Sequence, residues 1–292
     1  MGEKMSNSNT EDNNKKYLVA DLEDGSVNYL ERPPVEGWTD EYKTKKLVLK
    51  MMPKGKFIRR EYDSEAHEDV IYEVTLTSPF YLGVFQVTQK QYELITGKDP
   101  SAYKGATRPV ENVSYEDIRG TEKGARWPSG CDVDEDSFLG KLRTKTKLAF
   151  DLPTEAQWQY ACGCQLNTMW NNGTKHDDWF DVMVDLDRQM GKVGRYLYNG
   201  GEEKRHAPVG SYDKSIWGHY DMHGNVYEWC LDWFANYSGA AVDPKGPYEG
   251  EFRVIRGGCW SSGASSCSRE NRNRLEPGYA LDRVGFRLVL VQ

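Results

Sequence analysis

The residues of this chain with the widest chemical reach are six cysteines (Cys131, Cys162, Cys164, Cys230, Cys259, Cys267) and five histidines (His67, His176, His206, His219, His223). No two cysteines form a CxxC pair, so the thiols do not spell out a zinc site, and their number does not decide a redox compartment. His219 and His223 have the spacing of one helical face, but Gly218 and Gly224 bracket them. Glycines on both sides point to turn histidines instead of a ligand pair. Recognition chemistry is written more plainly near the C-terminus. Residues 259–283 are rich in Ser, Arg, Gly and Asn, and their only large apolar side chains are Trp260, Leu275, Tyr279 and Leu281. Tyr supplies contact area, Ser and Gly adapt, and Asp282 with Arg283 add both signs of charge, which is the composition of a binding loop.

Such a loop needs stiff neighbours. Arg253–Gly258 is an apolar strand closing on a Gly-Gly pair and Gly285–Leu290 is a second short strand. They are expected to pair centrally as a closing hairpin that carries the polar excursion. Upstream, Leu18–Tyr29 and Lys46–Met52 read as strands flanking Pro33–Pro34, and Tyr72–Leu82 alternates as a strand does. Val87–Ile95 reads as a short helix capped by Thr88. Ser114-x-x-Asp117 opens another, and Thr154-x-x-Gln157 a third after Pro153. Residues 165–210 look irregular. Trp158, Tyr160, Trp229, Trp233 and Phe234 are expected core anchors, and no repeat of fixed period is visible.

The chain has 292 residues and a formal net charge of -7. An acidic surface does not attract nucleic acid or anionic membrane. Mean hydropathy is -0.76, yet 12% of residues are aromatic, with 9 Trp and 18 Tyr. Such a chain builds its core from aromatic rings, each covering much area. No run approaches the ~20 apolar residues of a membrane span, and no apolar signal segment stands at the N-terminus. Residues 1–16 are expected to be a disordered polar leader, and 17–292 a single loop-rich α+β domain with short elements.

Five motifs, in order, carry a resemblance over about residues 75–290: Phe80-Tyr81-Leu82-Gly83 with Val87-Thr88; Pro109 through Ser114; Leu152 through Trp158; Gly224 through Trp229; and Arg253 through Gly258 closing on Gly285-Phe286-Arg287. They resemble the formylglycine-generating-enzyme (sulfatase-modifying factor) family, which implies an α+β variant of the C-type lectin fold with short mixed strands, two main short helices and much irregular backbone. The family's enzyme oxidises a substrate cysteine with a cysteine pair that binds copper. Laid on this chain, that pair falls on Ser262 and Cys267. Serine is a poor ligand for a soft metal, so catalysis is not expected, and a cysteine-dependent oxidase of this type is the alternative. Asn225, Tyr227 and Glu228 match a segment that holds structural calcium in some relatives, so calcium near Asn225 and Glu228 is a possible cofactor and no other is expected.

A narrower resemblance is to the variable proteins of diversity-generating retroelements, of the Treponema type. It is carried by Gly257-Gly258-Cys259-Trp260, Cys267, Asn271-Arg272-Asn273, Pro277 and Gly285-Phe286-Arg287, and it places the variable region at about 253–290. In that class adenines are randomised, mostly in codons ending in C, which cannot encode Lys, Glu, Gln, Met or Trp. The expected ligand-contacting residues are Cys259, Trp260 (as a fixed aromatic anchor), Ser261, Ser262, Gly263, Ser265, Ser266, Leu275, Tyr279, Leu281, Asp282 and Arg283. Apart from Trp260 all are reachable by such codons, whereas Glu270 and Glu276 are not. The resemblance implies a non-catalytic display protein. Its partner would be a protein or cell-surface ligand, with no nucleic acid and no membrane span. A monomer is expected, at the cell surface, as a lipoprotein in the full-length precursor. A structural accessory domain without a ligand is the third alternative.

Overall fold

The computed structural model describes residues 15–63, 67–166, 168–174, 185–237 and 239–291. The expected leader lies outside the described residues up to residue 14, as does His176. Lys15 and Lys16 already touch the sheet. Their carbonyls accept hydrogen bonds from the Tyr81 hydroxyl, at 2.7 Å, and the Met51 N–H, at 2.9 Å.

Strands β1 (Tyr17–Asp21) and β2 (Val27–Leu30) form a hairpin, with Gly25 in the left-handed region at its turn. β3 (Lys46–Met52) returns antiparallel along β1. β4 (Gly55–Asp63) and β5 (Glu68–Leu76) form a long hairpin, and β6 (Phe80–Gly83) follows. The expected strand Tyr72–Leu82 is thus two strands, broken at Ser78–Pro79, where proline has no N–H to give a ladder.

Among the described residues five helices come next: α1 (Gln89–Thr96), α2 (Tyr115–Arg119), α3 (Phe138–Thr146), α4 (Glu155–Gly163) and α5 (Met190–Val193). Thr88, Ser114 and Thr154 each close a reciprocal capping box, with Gln91, Asp117 and Gln157 in turn. α3, with Ser137 as its N-cap, is a helix beyond those expected from the capping patterns.

The remaining strands are β7 (Tyr227–Trp233), β8 (Ala241–Val242), β9 (Arg253–Arg256), β10 (Asn273–Leu275), β11 (Val284–Gly285) and β12 (Val289–Val291). Three sheets result, ordered β12-β6-β3-β1-β2, β10-β9-β7-β11 and β4-β5-β8. The closing hairpin expected from the sequence does not form. β9 pairs antiparallel with β7, and β11 pairs parallel with the other edge of β7. β12 leaves for the first sheet, antiparallel to β6. The break between β11 and β12 falls at Phe286 and Arg287, which are both buried. Phe286 packs edge-on to Phe138 at 5.1 Å, and Arg287 turns inward to Glu228.

The core is aromatic, as the composition implies. Trp158, Trp229, Tyr81, Tyr115, Phe80 and Phe138 are among its largest fully buried side chains. Arg119, Arg253, Arg256 and Arg287 are buried among them. Ion pairs and main-chain carbonyls hold them, as buried charge requires, although among the described residues the Nε of Arg253 and of Arg256 has no hydrogen-bond partner.

Candidate functional site

The polar loop leaves β9 through Gly257 and Gly258, both at positive φ. Gly258 is required by close approach as well, since a Cβ there would stand 2.5 Å from Cys267 Sγ. The loop's backbone is held from below at many points. Trp260 N–H donates to the Asn225 carbonyl at 2.9 Å, and its indole N–H to the Asp282 carbonyl at 3.3 Å. The Asp185 carboxylate accepts from Ser265 N–H at 2.8 Å and from the Ser265 hydroxyl at 2.7 Å. Buried Arg256 donates to the carbonyls of Arg269 at 2.6 Å, Glu270 at 3.2 Å and Asn271. Arg272 forms a fork on Glu155, at 2.6 and 2.9 Å. The carbonyls of Leu281 and Arg283 accept from Asn112 and Tyr227 N–H, each at 2.9 Å.

With its main chain fixed this way, the loop presents some side chains and hides others. Ser261, Ser265, Tyr279 and Arg283 are exposed, Tyr279 at 55%. Trp260, Ser262, Ser266, Leu275, Leu281 and Asp282 are half-buried. Trp260, Leu275 and Leu281 pack on the main apolar cluster, and Leu275 lies within β10. One expected ligand contact is corrected. Cys259 is only 1% exposed and belongs to the core. Gly263 has no room for a side chain, because a Cβ would collide with the Asp185 carboxylate that grips Ser265. Two contributors escaped sequence reading. Asp185 lies in an irregular stretch without pattern. Tyr103, whose ring stands edge-on to Trp260 at 5.7 Å, had only its aromatic type as a signal.

Cys259 Sγ sits 3.1 Å from the Ser262 hydroxyl, which is 3.4 Å from the Tyr227 hydroxyl. Cys267 is fully buried, and burial pushes its thiol well above the usual range. It is therefore a poor thiolate source. Ser262 and Cys267 together offer one soft donor, which does not fit a copper(I) pair. Among the described residues no group of three or more His, Cys, Asp or Glu side chains is disposed to hold a metal ion.

Calcium does not fit Asn225 and Glu228 either. Glu228 is buried and ion-paired with Arg287 at 2.8 Å. It also accepts from the Trp158 indole at 2.8 Å and the Gln86 amide at 2.9 Å. The Asn225 side chain donates to Gln86 at 3.0 Å and accepts from Ala207 N–H at 2.9 Å. A guanidinium already neutralises the carboxylate where a cation would sit, so these residues tie the turn together.

His219 and His223 are fully buried in the turn region. Burial lowers the pKa of His223 to about 4 and holds that of His219 well below the ordinary value. His206 is buried beneath Tyr103, with Nε2 3.5 Å from Glu111 Oε1. Burial lowers its pKa against the pull of Glu111.

A family model described as a sulfatase-modifying factor enzyme 1-like domain matches residues 40–291. Serine/threonine-protein kinase pkn1 of Chlamydia caviae is 29% identical over 311 residues, 96% of this chain and 45% of that protein. The formylglycine-generating enzyme of Streptomyces coelicolor is 35% identical over 147 residues, 47% of this chain and 45% of that protein. The chain thus spans less than half the length of either relative. Treponema denticola variable protein 1 superposes with a TM-score of 0.67 at 23% identity, over 85% of this chain and 96% of that one. That likeness is one of fold: α+β, C-type lectin-like, with many short strands and few helices.

Proposed function

We propose, from the premise that the chain belongs to the sulfatase-modifying factor enzyme 1-like family, that it is a non-catalytic ligand-binding member displaying a diversified loop over residues 259–283. One observation carries this reading: Ser261, Ser265, Tyr279 and Arg283 face solvent while Arg256, Asp185, Asn225, Asn112 and Tyr227 hold the loop's main chain. Exposed side chains on a fixed backbone can change at little cost to stability. The fold likeness to a Treponema variable protein supports the same reading. The recognised partner would be a protein or cell-surface molecule met by a monomer on the outside of the cell, with the domain part of a lipoprotein precursor.

The alternative is a cysteine-dependent oxidase. It rests on the convergence of Cys259, Ser262 and Cys267, with Cys259 standing in for the absent first thiol. Two measurements separate the readings. Sequencing the locus from sibling isolates is expected to find a reverse transcriptase gene, a template copy of the segment, and substitutions gathered at Ser261, Ser262, Ser265, Ser266, Tyr279, Asp282 and Arg283. Copper-dependent turnover of a cysteine-containing sulfatase peptide, or a locus with no template copy, would overturn the display reading.

A further inference from the structure

A cavity of about 470 Å³ lies between β6, β12 and the start of α4, and none of residues 259–283 lines it. Its floor is apolar, built by Phe80, Leu152 and Val289, all buried. Trp127 forms a wall and Val291, 54% exposed, stands at the mouth. The volume suits a small organic molecule.

The polar lining includes Ser78, Thr154 and Gln157 and charged groups of both signs, which differ in how fully they are engaged. Two carboxylates line the cavity and both are already engaged. Asp151 is held by Arg119 at 2.8 Å and by Arg143 at 3.0 Å. Asp243 accepts from the Thr77 N–H at 2.9 Å and the Thr77 hydroxyl at 2.5 Å. The cations keep unspent capacity. Arg143 gives one N–H each to the carbonyls of Phe150 and Cys131 and to Asp151, so two of its about five donors remain. Lys245 lies with its ammonium 5.6 Å from the centre of the Trp127 ring, and among the described residues it pairs with no carboxylate. Of the lining side chains, Arg143 and Lys245 are therefore the charged groups with donors left to offer, beside two carboxylates already engaged.

We propose that this cavity binds a small apolar acid. The hydrocarbon or aromatic body lies on Phe80, Leu152 and Val289, and the carboxylate meets Lys245 and Arg143. The site is separate from the display loop and stands or falls independently of it.

Cys131 lines the cavity and is exposed, while the other five cysteines are buried. Bimane attached to Cys131 of the full chain therefore reports on this site. Octanoate is expected to change its fluorescence saturably and to raise the Tm of the unlabelled chain, with 1-octanol binding more weakly. Lys245→Gln should weaken octanoate about two- to fivefold, the range of an exposed ion pair, and leave 1-octanol unchanged. Ala149→Trp, at an exposed lining position, should block both. The proposal is overturned by no saturable response, by a response confined to the labelled chain, by equal binding of acid and alcohol, or by octanoate affinity unchanged in Lys245→Gln or Ala149→Trp.

Discussion

Replacing Arg256 with methionine keeps most of the side-chain volume and removes the guanidinium that holds the loop. Arg256 is fully buried and donates to three successive carbonyls, those of Arg269, Glu270 and Asn271. The bond to Arg269 is buried, and those to Glu270 and Asn271 are half-open to water. An orphaned buried carbonyl costs about 1–3 kcal/mol, and each half-open one about 1 kcal/mol. The sum is about 3–5 kcal/mol, in the range for removing one partner of a buried charge network. Glu155 keeps its fork with Arg272, at 2.6 and 2.9 Å, so it is not left bare. Urea titration should show a lower midpoint at unchanged slope, and limited proteolysis should cut faster within 259–275. The triple variant Ser261→Ala/Tyr279→Ala/Arg283→Ala should lose within about 0.5 kcal/mol per site. A loss under about 1 kcal/mol for Arg256→Met, with unchanged proteolysis, would refute the idea that this strand residue positions the loop.

Glu228→Gln and Arg287→Met should each destabilise by about 3–5 kcal/mol, because each strands a buried charge. The double variant should lose much less than the sum in the same urea assay. Gly263→Ala should lower the Tm, because its Cβ displaces the Asp185 carboxylate, whereas Ser261→Ala should not. Asp232 is fully buried beside Glu155, and burial followed by that carboxylate pushes its pKa up to about 7, against Arg59 and Arg272. The folded state therefore favours the protonated acid. Wild type should lose stability as pH rises from the unfolded value of 3.8 to about 7. Asp232→Asn should be spared that loss, so the gap between the two in urea midpoints should widen across this window and then level off.

Local chemistry was legible in the sequence, and long-range pairing was not. The caps at Thr88, Ser114 and Thr154 are written within four residues of each helix start, and all three could be read. Helix α3 starts from Ser137 without a capping box and follows an acidic run that disguises it. The strand partners of Arg253–Arg256 could not be read, because pairing with Tyr227–Trp233 depends on where the chain between them goes. For the loop, composition pointed to Ser261, Ser265, Tyr279 and Arg283 as outward residues. It could not show that Cys259 turns inward or that Gly263 is fixed by Asp185, since those facts depend on residues far away in sequence.

β9 and β11 stand on opposite sides of β7, so the feet of the recognition loop are two strand spacings apart, about 10 Å. Between those feet the segment also lays β10 along the outer edge of β9, so it is held low against the sheet and does not rise as a finger. Small solutes gain little on a plateau, because tight capture of a small solute needs a concave wall around most of its surface. Broad, nearly flat partners gain most there, by adding many modest contacts across a wide footprint.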